Sequence, residues 1–196
     1  MSSKIDQAAI DHLFLSARSH NGWTDAPVSD AELHELYDIV KFGPTSANTQ
    51  PARFVFVRTA EAKERLRPAL SEGNLKSLAA PVIVLIGYAL DFHEKIPQLF
   101  PHNPGFKDLF VNNPGIVEPH AFRNSALQGA YLILAARALG LDVGPMSGFD
   151  AGKVEAEFFP DGKTKVNFIA ALGHGDESKL FDRLPRLAFD EAASIV

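Results

Sequence analysis

There is no cysteine anywhere in the chain. Disulfides, thiolate nucleophiles, cysteine-ligated zinc and cysteine-held iron–sulfur clusters are excluded together. Basic residues form no surplus: 19 Lys+Arg stand against 24 Asp+Glu, a formal net charge of −5. No basic stripe of the kind that tracks nucleic acid is visible. Long apolar runs are also missing. The longest, around Pro81–Tyr88, falls far short of the roughly 20 residues that span a bilayer. The opening Met1-Ser2-Ser3-Lys4-Ile5-Asp6 lacks the apolar core of a secretory leader, so a cytoplasmic protein with no membrane or nucleic-acid partner is expected.

Several motifs fail one residue short. Gly173-His174-Gly175 follows an apolar run, but Ser178 stands where a dinucleotide fingerprint needs its third glycine. No G-x-x-x-x-G-K-[ST] phosphate loop occurs. His34-Glu35 and His93-Glu94 each open an HExxH pattern that Asp38 and Pro97 end. The seven histidines are scattered, and no metal site is expected. Ser147 in Gly144-Pro145-Met146-Ser147-Gly148 is not the serine of a nucleophile elbow.

What is present suits one domain over 1–196: 46% of the residues are apolar and 22% charged, enough to build a core. Residues 6–17 carry Ile10, Leu13, Phe14 and Ala17 at helical spacing. Ser29-x-x-Glu32 reads as a capping box with Val28 and Leu33 as its staple, and Leu33, Leu36, Tyr37 and Val40 form the buried stripe. Gly43-Pro44 stops that helix. Residues 53–58, 81–88 and 165–172 read as strands, the second central and covered on both faces. Thr59 caps a helix to about Leu70. Residues 91–119, rich in Pro, Asn and Gly, read as an excursion holding short helices. The longest helix is expected over 121–139, ended by Gly140, and Asp150 caps a short one. The 144–148 segment reads as a glycine-bounded loop. The order predicts an α+β fold around a small mixed sheet.

Four loop segments combine small, amide or basic residues with glycine or proline. Arg18-Ser19-His20-Asn21 suits a phosphate or polyol tail, although an ordinary helix C-terminus uses the same residues. Pro44-Thr45-Ser46-Ala47-Asn48-Thr49-Gln50-Pro51 offers donors and acceptors to a heterocycle edge, or is a plain turn. Gly73-Asn74 reads equally as a helix C-cap. Pro145-Met146-Ser147-Gly148 could bring backbone N–H groups close to a ligand, or merely connect two helices tightly.

Taken together and in this order, with Ala138-Leu139-Gly140-Leu141 and the basic Arg183 and Arg186, these segments resemble the nitroreductase superfamily of FMN-dependent oxidoreductases. A closer likeness is to its malonic semialdehyde reductases (3-hydroxypropionate dehydrogenases) of pyrimidine catabolism. It is carried by His20-Asn21-Gly22-Trp23, Gly43–Asn48, Thr59–Leu70, Phe122-Arg123-Asn124-Ser125 and Gly144–Asp150. The resemblance implies an intertwined homodimer with FMN at the subunit interface and NADPH or NADH as hydride donor. Arg18, Ser19, His20 and Asn21 would meet the phosphate and ribityl chain, with Arg183 or Arg186 helping. Asn74 would meet the pyrimidine edge. Pro145, Met146, Ser147 and Gly148 would lie near the reactive ring nitrogen. Pro44, Thr45, Ser46 and Asn48 would approach the flavin from the same chain or the partner. The chain departs from the family pattern at Ala17 and Asn21, where relatives are often basic, and at Ser147, where many have Glu. For a small anionic aldehyde, Arg123 is the candidate carboxylate anchor and His20 a candidate contact. A broad nitro- or quinone-reductase and a flavin-storage protein are the alternatives.

Overall fold

The apolar run becomes the centre of the sheet. In the computed structural model, which describes residues 3–196, β2 (Val82–Ala89) is buried at every position. It pairs with β1 (Ala52–Val57) on one side and β4 (Thr164–Gly173) on the other, and β3 (Asp142–Met146) pairs with the far side of β4. Successive side chains of β2 point to opposite faces. Val82, Val84 and Ile86 pack with Leu36, Val40 and Leu132 on one face, whereas Ile83 and Leu85 pack with Leu66, Val154 and Ile169 on the other. A continuous apolar strand is therefore required, because both faces are covered.

The sheet is not mixed: all three strand pairings are antiparallel. β3 does run in the same direction as β2, but β4 inserts between them, so no parallel pair of strands forms. The one parallel contact among the described residues is the bridge Ser19–Val143.

α2 (Asp30–Val40) and α6 (Val117–Ala138) cover the first face. The α2 capping box forms as expected: Ser29 Oγ accepts from Glu32 N–H, and Glu32 Oε2 accepts from Ser29 N–H at 2.7 Å. That bond holds the Glu32 carboxyl below its usual range. α3 (Ala60–Leu66), capped by Thr59, and α7 (Ala151–Phe158), capped by Asp150, cover the second face. The excursion carries α4 (Ile96–Leu99) and α5 (Lys107–Val111) over a third small core of Phe92, Ile96 and Phe110. α6 begins four residues earlier than expected. Pro119 lies in its first turn, where a missing N–H costs nothing.

Two expectations change. The amino-terminal helix is short, α1 (Gln7–Ile10) running into a π-helical turn Asp11–Leu15. Phe14 and Leu15 remain more than half exposed, so this chain alone does not cover their face. The 144–148 loop is in part a strand, since Gly144, Pro145 and Met146 belong to β3. Glycine and proline hide a strand from propensity, but β3 lies at the sheet edge, where proline is tolerated. A last short helix, α8 (Phe189–Ala192), sits on an exposed tail.

Leu85 is fully buried at the sheet centre. Leu85→Ala should lower unfolding free energy by about 2–5 kcal/mol, read as a shift in the urea midpoint at unchanged slope. A loss under 1 kcal/mol would mean that the sheet centre is not the core.

Candidate functional site

The first segment is laid along the free edge of β3. His20 N–H donates to Val143 O at 3.2 Å beside the Ser19–Val143 bridge. The approach is close because Gly144 has no side chain: a Cβ there would lie 2.2 Å from His20 O. The His20 ring turns inward. Its Nε2 is 3.2 Å from Asp142 Oδ1, and Asp142 Oδ2 accepts from Gly175 N–H at 2.8 Å. A Cβ on Gly175 would lie 1.9 Å from His20 Nδ1. His20 is therefore a largely buried support for this corner, and its ring still borders the smaller cavity.

Around this corner open two adjoining cavities of about 710 and 310 Å³ that share Ser19 and Phe181. Arg18, Arg137, Arg183 and Arg186 line the larger. Arg18 donates to Phe181 O, and Arg183 Nη2 donates to Ala17 O at 3.1 Å, so first loop and tail clasp each other reciprocally. Arg186 is spent in part on the carbonyls of Leu184 and Pro185. Ser19, His20, Asn21, Asn74, Pro145 and Met146 line the smaller. Asn74 Nδ2 and Ser71 N–H both donate to Gly148 O at 3.0 Å, which locks the third segment to the fourth. A Cβ on Gly148 would sit 2.6 Å from both Asn74 Nδ2 and Ser71 Oγ. Ser147 is exposed and does not line either cavity. Chemically, a cluster of guanidinium groups suits a dianionic phosphate. An amide-lined recess beside it suits a flat heterocycle with donor and acceptor edges.

Arg137 was not anticipated. It lies at the last turn of α6, where a basic residue reads as a complement to the helix dipole. Its place directly before Ala138-Leu139-Gly140-Leu141 was the one available signal.

The second segment does not join this group. Pro44 lies beside Tyr131, six residues before Arg137 on α6, and Ser46 beside Asn124, nearer the other end of that helix. Ser46 N–H donates to Asn124 Oδ1 at 2.8 Å, and Tyr131 Oη donates to Pro44 O at 2.9 Å. Asn124 and the cavity-lining Arg137 are separated by roughly 20 Å along the helix at 1.5 Å per residue. Arg123, one residue away, lines a separate open cavity with Phe122 and Leu127. Within one chain, residues 44–48 and Arg123 line neither of the two cavities that meet at Ser19, and the length of α6 separates Asn124, which holds Ser46, from Arg137. The loop is unusual in its backbone. Ala47, Asn48 and Gln50 have φ of 48°, 51° and 41°, a region costing roughly 1–2 kcal/mol per non-glycine residue, less for Asn. Nearby, burial and the adjacent Arg123 charge hold His120 below the usual histidine range.

Among the described residues no group of three His, Asp or Glu could hold a metal ion, and no helix is long and apolar enough to cross a membrane.

A family model described as Nitroreductase family matches residues 15–174. A protein of Burkholderia lata, provisionally named NADH dehydrogenase/NAD(P)H nitroreductase, is 59% identical over 192 residues, 97% of this chain and 98% of that protein. A protein of Stenotrophomonas maltophilia with the same provisional name is 60% identical over the full length of both chains. Among solved structures, a nitroreductase-like protein of Exiguobacterium sibiricum in complex with FMN superposes with a TM-score of 0.87 over all of both chains, at 16% identity. An enone reductase of gut-bacterial fatty-acid saturation superposes at 0.84 over 98% of this chain and 100% of that one, at 21% identity. At these identities the structural likenesses are likenesses of fold.

Proposed function

This chain belongs to the nitroreductase family, and from that premise we propose that it is an FMN-dependent NAD(P)H oxidoreductase. The observation that carries the reading is the junction at Ser19 and Phe181 of an arginine-lined cavity with an amide-lined one. The residues fit the cofactor. A phosphate-sized anion has several guanidinium donors, and Gly144 and Gly148 let the segments that line the recess pack directly on one another, Gly144 against His20 and Gly148 against Ser71 and Asn74. The fold is shared with a structure holding FMN.

Arg18, Ser19, Arg183 and Arg186 would hold the phosphate, with Arg137 beside them. Asn21 would hold the ribityl chain and Asn74 the pyrimidine edge. When bound, FMN supplies two-electron chemistry, accepting a hydride from NADPH or NADH and giving it to an organic acceptor. The chain's part is to bind and orient. The Arg18–Phe181 and Arg183–Ala17 clasps hold the phosphate end closed. The backbone of Met146, Ser147 and Gly148 would present donors near the reacting edge, its shape kept by the bonds to Gly148 O.

The site is completed in a homodimer on this reading. Phe14 and Leu15 of the first helix and Phe181, Leu184 and Leu187 of the tail are 54–74% exposed, the mark of an apolar face awaiting a partner. A second copy would bring Pro44–Asn48 and the neighbouring Arg123 to the cavity that the same chain cannot reach. Arg123 could then bind the carboxylate of a small anionic aldehyde. The substrate proposed is malonic semialdehyde, reduced with one hydride and one proton to 3-hydroxypropionate. The names of the relatives favour a second reading, a broader nitro- or quinone-reductase.

The test is a visible spectrum of the purified dimer, then NADPH without oxygen. Flavin bands that bleach, and return on adding malonic semialdehyde with 3-hydroxypropionate formed, are expected. Return only with a quinone or nitroaromatic would discard the aldehyde and keep the reductase. Failure to take up FMN at all would overturn the whole reading.

A further inference from the structure

α6 carries polar residues where an interface with the sheet would ordinarily be apolar. His120, Asn124 and Gln128 recur at intervals of four, which places them on one helix face. All three reach the same segment. Thr49 Oγ1 is 3.0 Å from His120 Nε2, Ser46 N–H donates to Asn124 Oδ1 at 2.8 Å, and Ala52 N–H donates to Gln128 Oε1 at 2.9 Å. Asn124, Gln128 and Thr49 are 2%, 4% and 1% exposed. One turn farther on, Tyr131 holds Pro44 O. The segment is thus fastened at both ends and in the middle by one rigid helix.

Resting on the reading that residues 44–50 meet the flavin of a partner subunit, we infer that His120, Asn124 and Gln128 are positioning residues that set the presenting shape of that segment. Backbone strain at a non-glycine position persists only where the surroundings over-determine it. Here the left-handed Ala47, Asn48 and Gln50 lie between the pinned amides of Ser46 and Ala52. The chain has no slack in which to relax them. The consequence is specific. Gln50 Nε2 donates to Asn48 Oδ1 and Asn48 Nδ2 donates to Leu99 O, so the Asn48 amide is held from two sides while the Ser46 side chain stays exposed. The same helix that forms the core therefore delivers the segment's polar edge in one fixed form, before any ligand arrives.

Asn124→Leu removes the acceptor for Ser46 N–H, and the Nδ2 bond to His120 O with it, at nearly constant volume; Thr49→Val removes the neighbouring link to His120, and Thr49→Ser keeps it. Two readouts are taken on the dimer: amide hydrogen exchange over residues 45–52 without FMN, and FMN affinity by fluorescence quenching. Asn124→Leu should speed exchange at this segment and weaken FMN about tenfold, the scale of one lost hydrogen bond; Thr49→Val should move both in the same direction, with Thr49→Ser recovering most of its effect. Unchanged exchange and affinity in a folded Asn124→Leu protein would overturn the inference while leaving the flavin reading intact. Faster exchange with unchanged affinity, together with no protection of 45–52 by FMN in the unmodified protein, would show that the segment does not meet flavin and would remove the reading on which the inference rests. If Asn124→Leu fails to fold, Thr49→Val replaces it, with the same outcomes deciding.

Discussion

Gly144→Ala should cost the protein about 3 kcal/mol of stability and about a hundredfold in FMN affinity. A Cβ at this position would lie 2.2 Å from His20 O, with the His20 carbonyl carbon and Trp23 Cζ2 next at 3.4 Å. The obstructing atom is backbone, so no rotamer change relieves it. Ser19 and His20 would have to move away from β3, breaking the His20 N–H bond to Val143 O and the bridge beside it. Overpacking usually costs 1–3 kcal/mol, and a backbone clash belongs at the upper end. The two cavities meet at Ser19, so the displacement that relieves the clash also spoils the cradle. About 1.4 kcal/mol corresponds to each tenfold in affinity, which makes a hundredfold the matching estimate. Thermal melting and FMN titration of the variant check both parts. Gly115→Ala is the control: a Cβ there meets nothing within 4 Å, and both quantities should stay at the wild-type value. A Gly144→Ala protein that melts and binds FMN normally would show that the first segment is not held against β3 as described.

Arg18→Ala should weaken FMN about a hundredfold and remove most of the preference for FMN over riboflavin. Arg18 lines the larger cavity and its side chain also holds Phe181 O. Hydrogen bonds to charged groups contribute roughly 1.5–3 kcal/mol each, and a guanidinium can make two to one phosphate. Riboflavin lacks the phosphate, so its affinity should change far less, and the ratio of the two affinities isolates the charged contact. Arg18→Lys should restore only part of the loss, since an ammonium keeps the charge but not the paired donors. Arg186→Ala should have a smaller effect, because Arg186 already donates to two local carbonyls. Equal loss of FMN and riboflavin in Arg18→Ala would mean that the residue supports the fold of the corner and does not contact the phosphate.

Both predictions depend on contacts between segments far apart in the chain, and this separates what could be read locally from what could not. The capping box at Ser29 and Glu32, the caps at Thr59 and Asp150, the central strand β2 and the long helix α6 follow from periodicity and from bonds within a turn. Neighbours along the chain decide such features, so the order of residues suffices. The four loop segments were also legible as chemistry, because small, amide and basic residues crowd into each.

Their grouping was decided by the tertiary structure. β3 became a strand despite Gly144 and Pro145 because β4 offered it an edge. The insertion of β4 beside β2 removed the parallel pairing that a mixed sheet would need. Arg137 entered the cavity because the end of α6 reaches it, while Ser46 and Arg123 were left near the other end of the same rigid helix. His20, polar in the sequence and close to the site, turned inward because Asp142 and the bare backbone of Gly175 receive its ring. The residue types that can bind a phosphate and a heterocycle were set by the sequence alone. Which of them share one cavity was set by strand pairing and helix length, quantities that no local pattern carries.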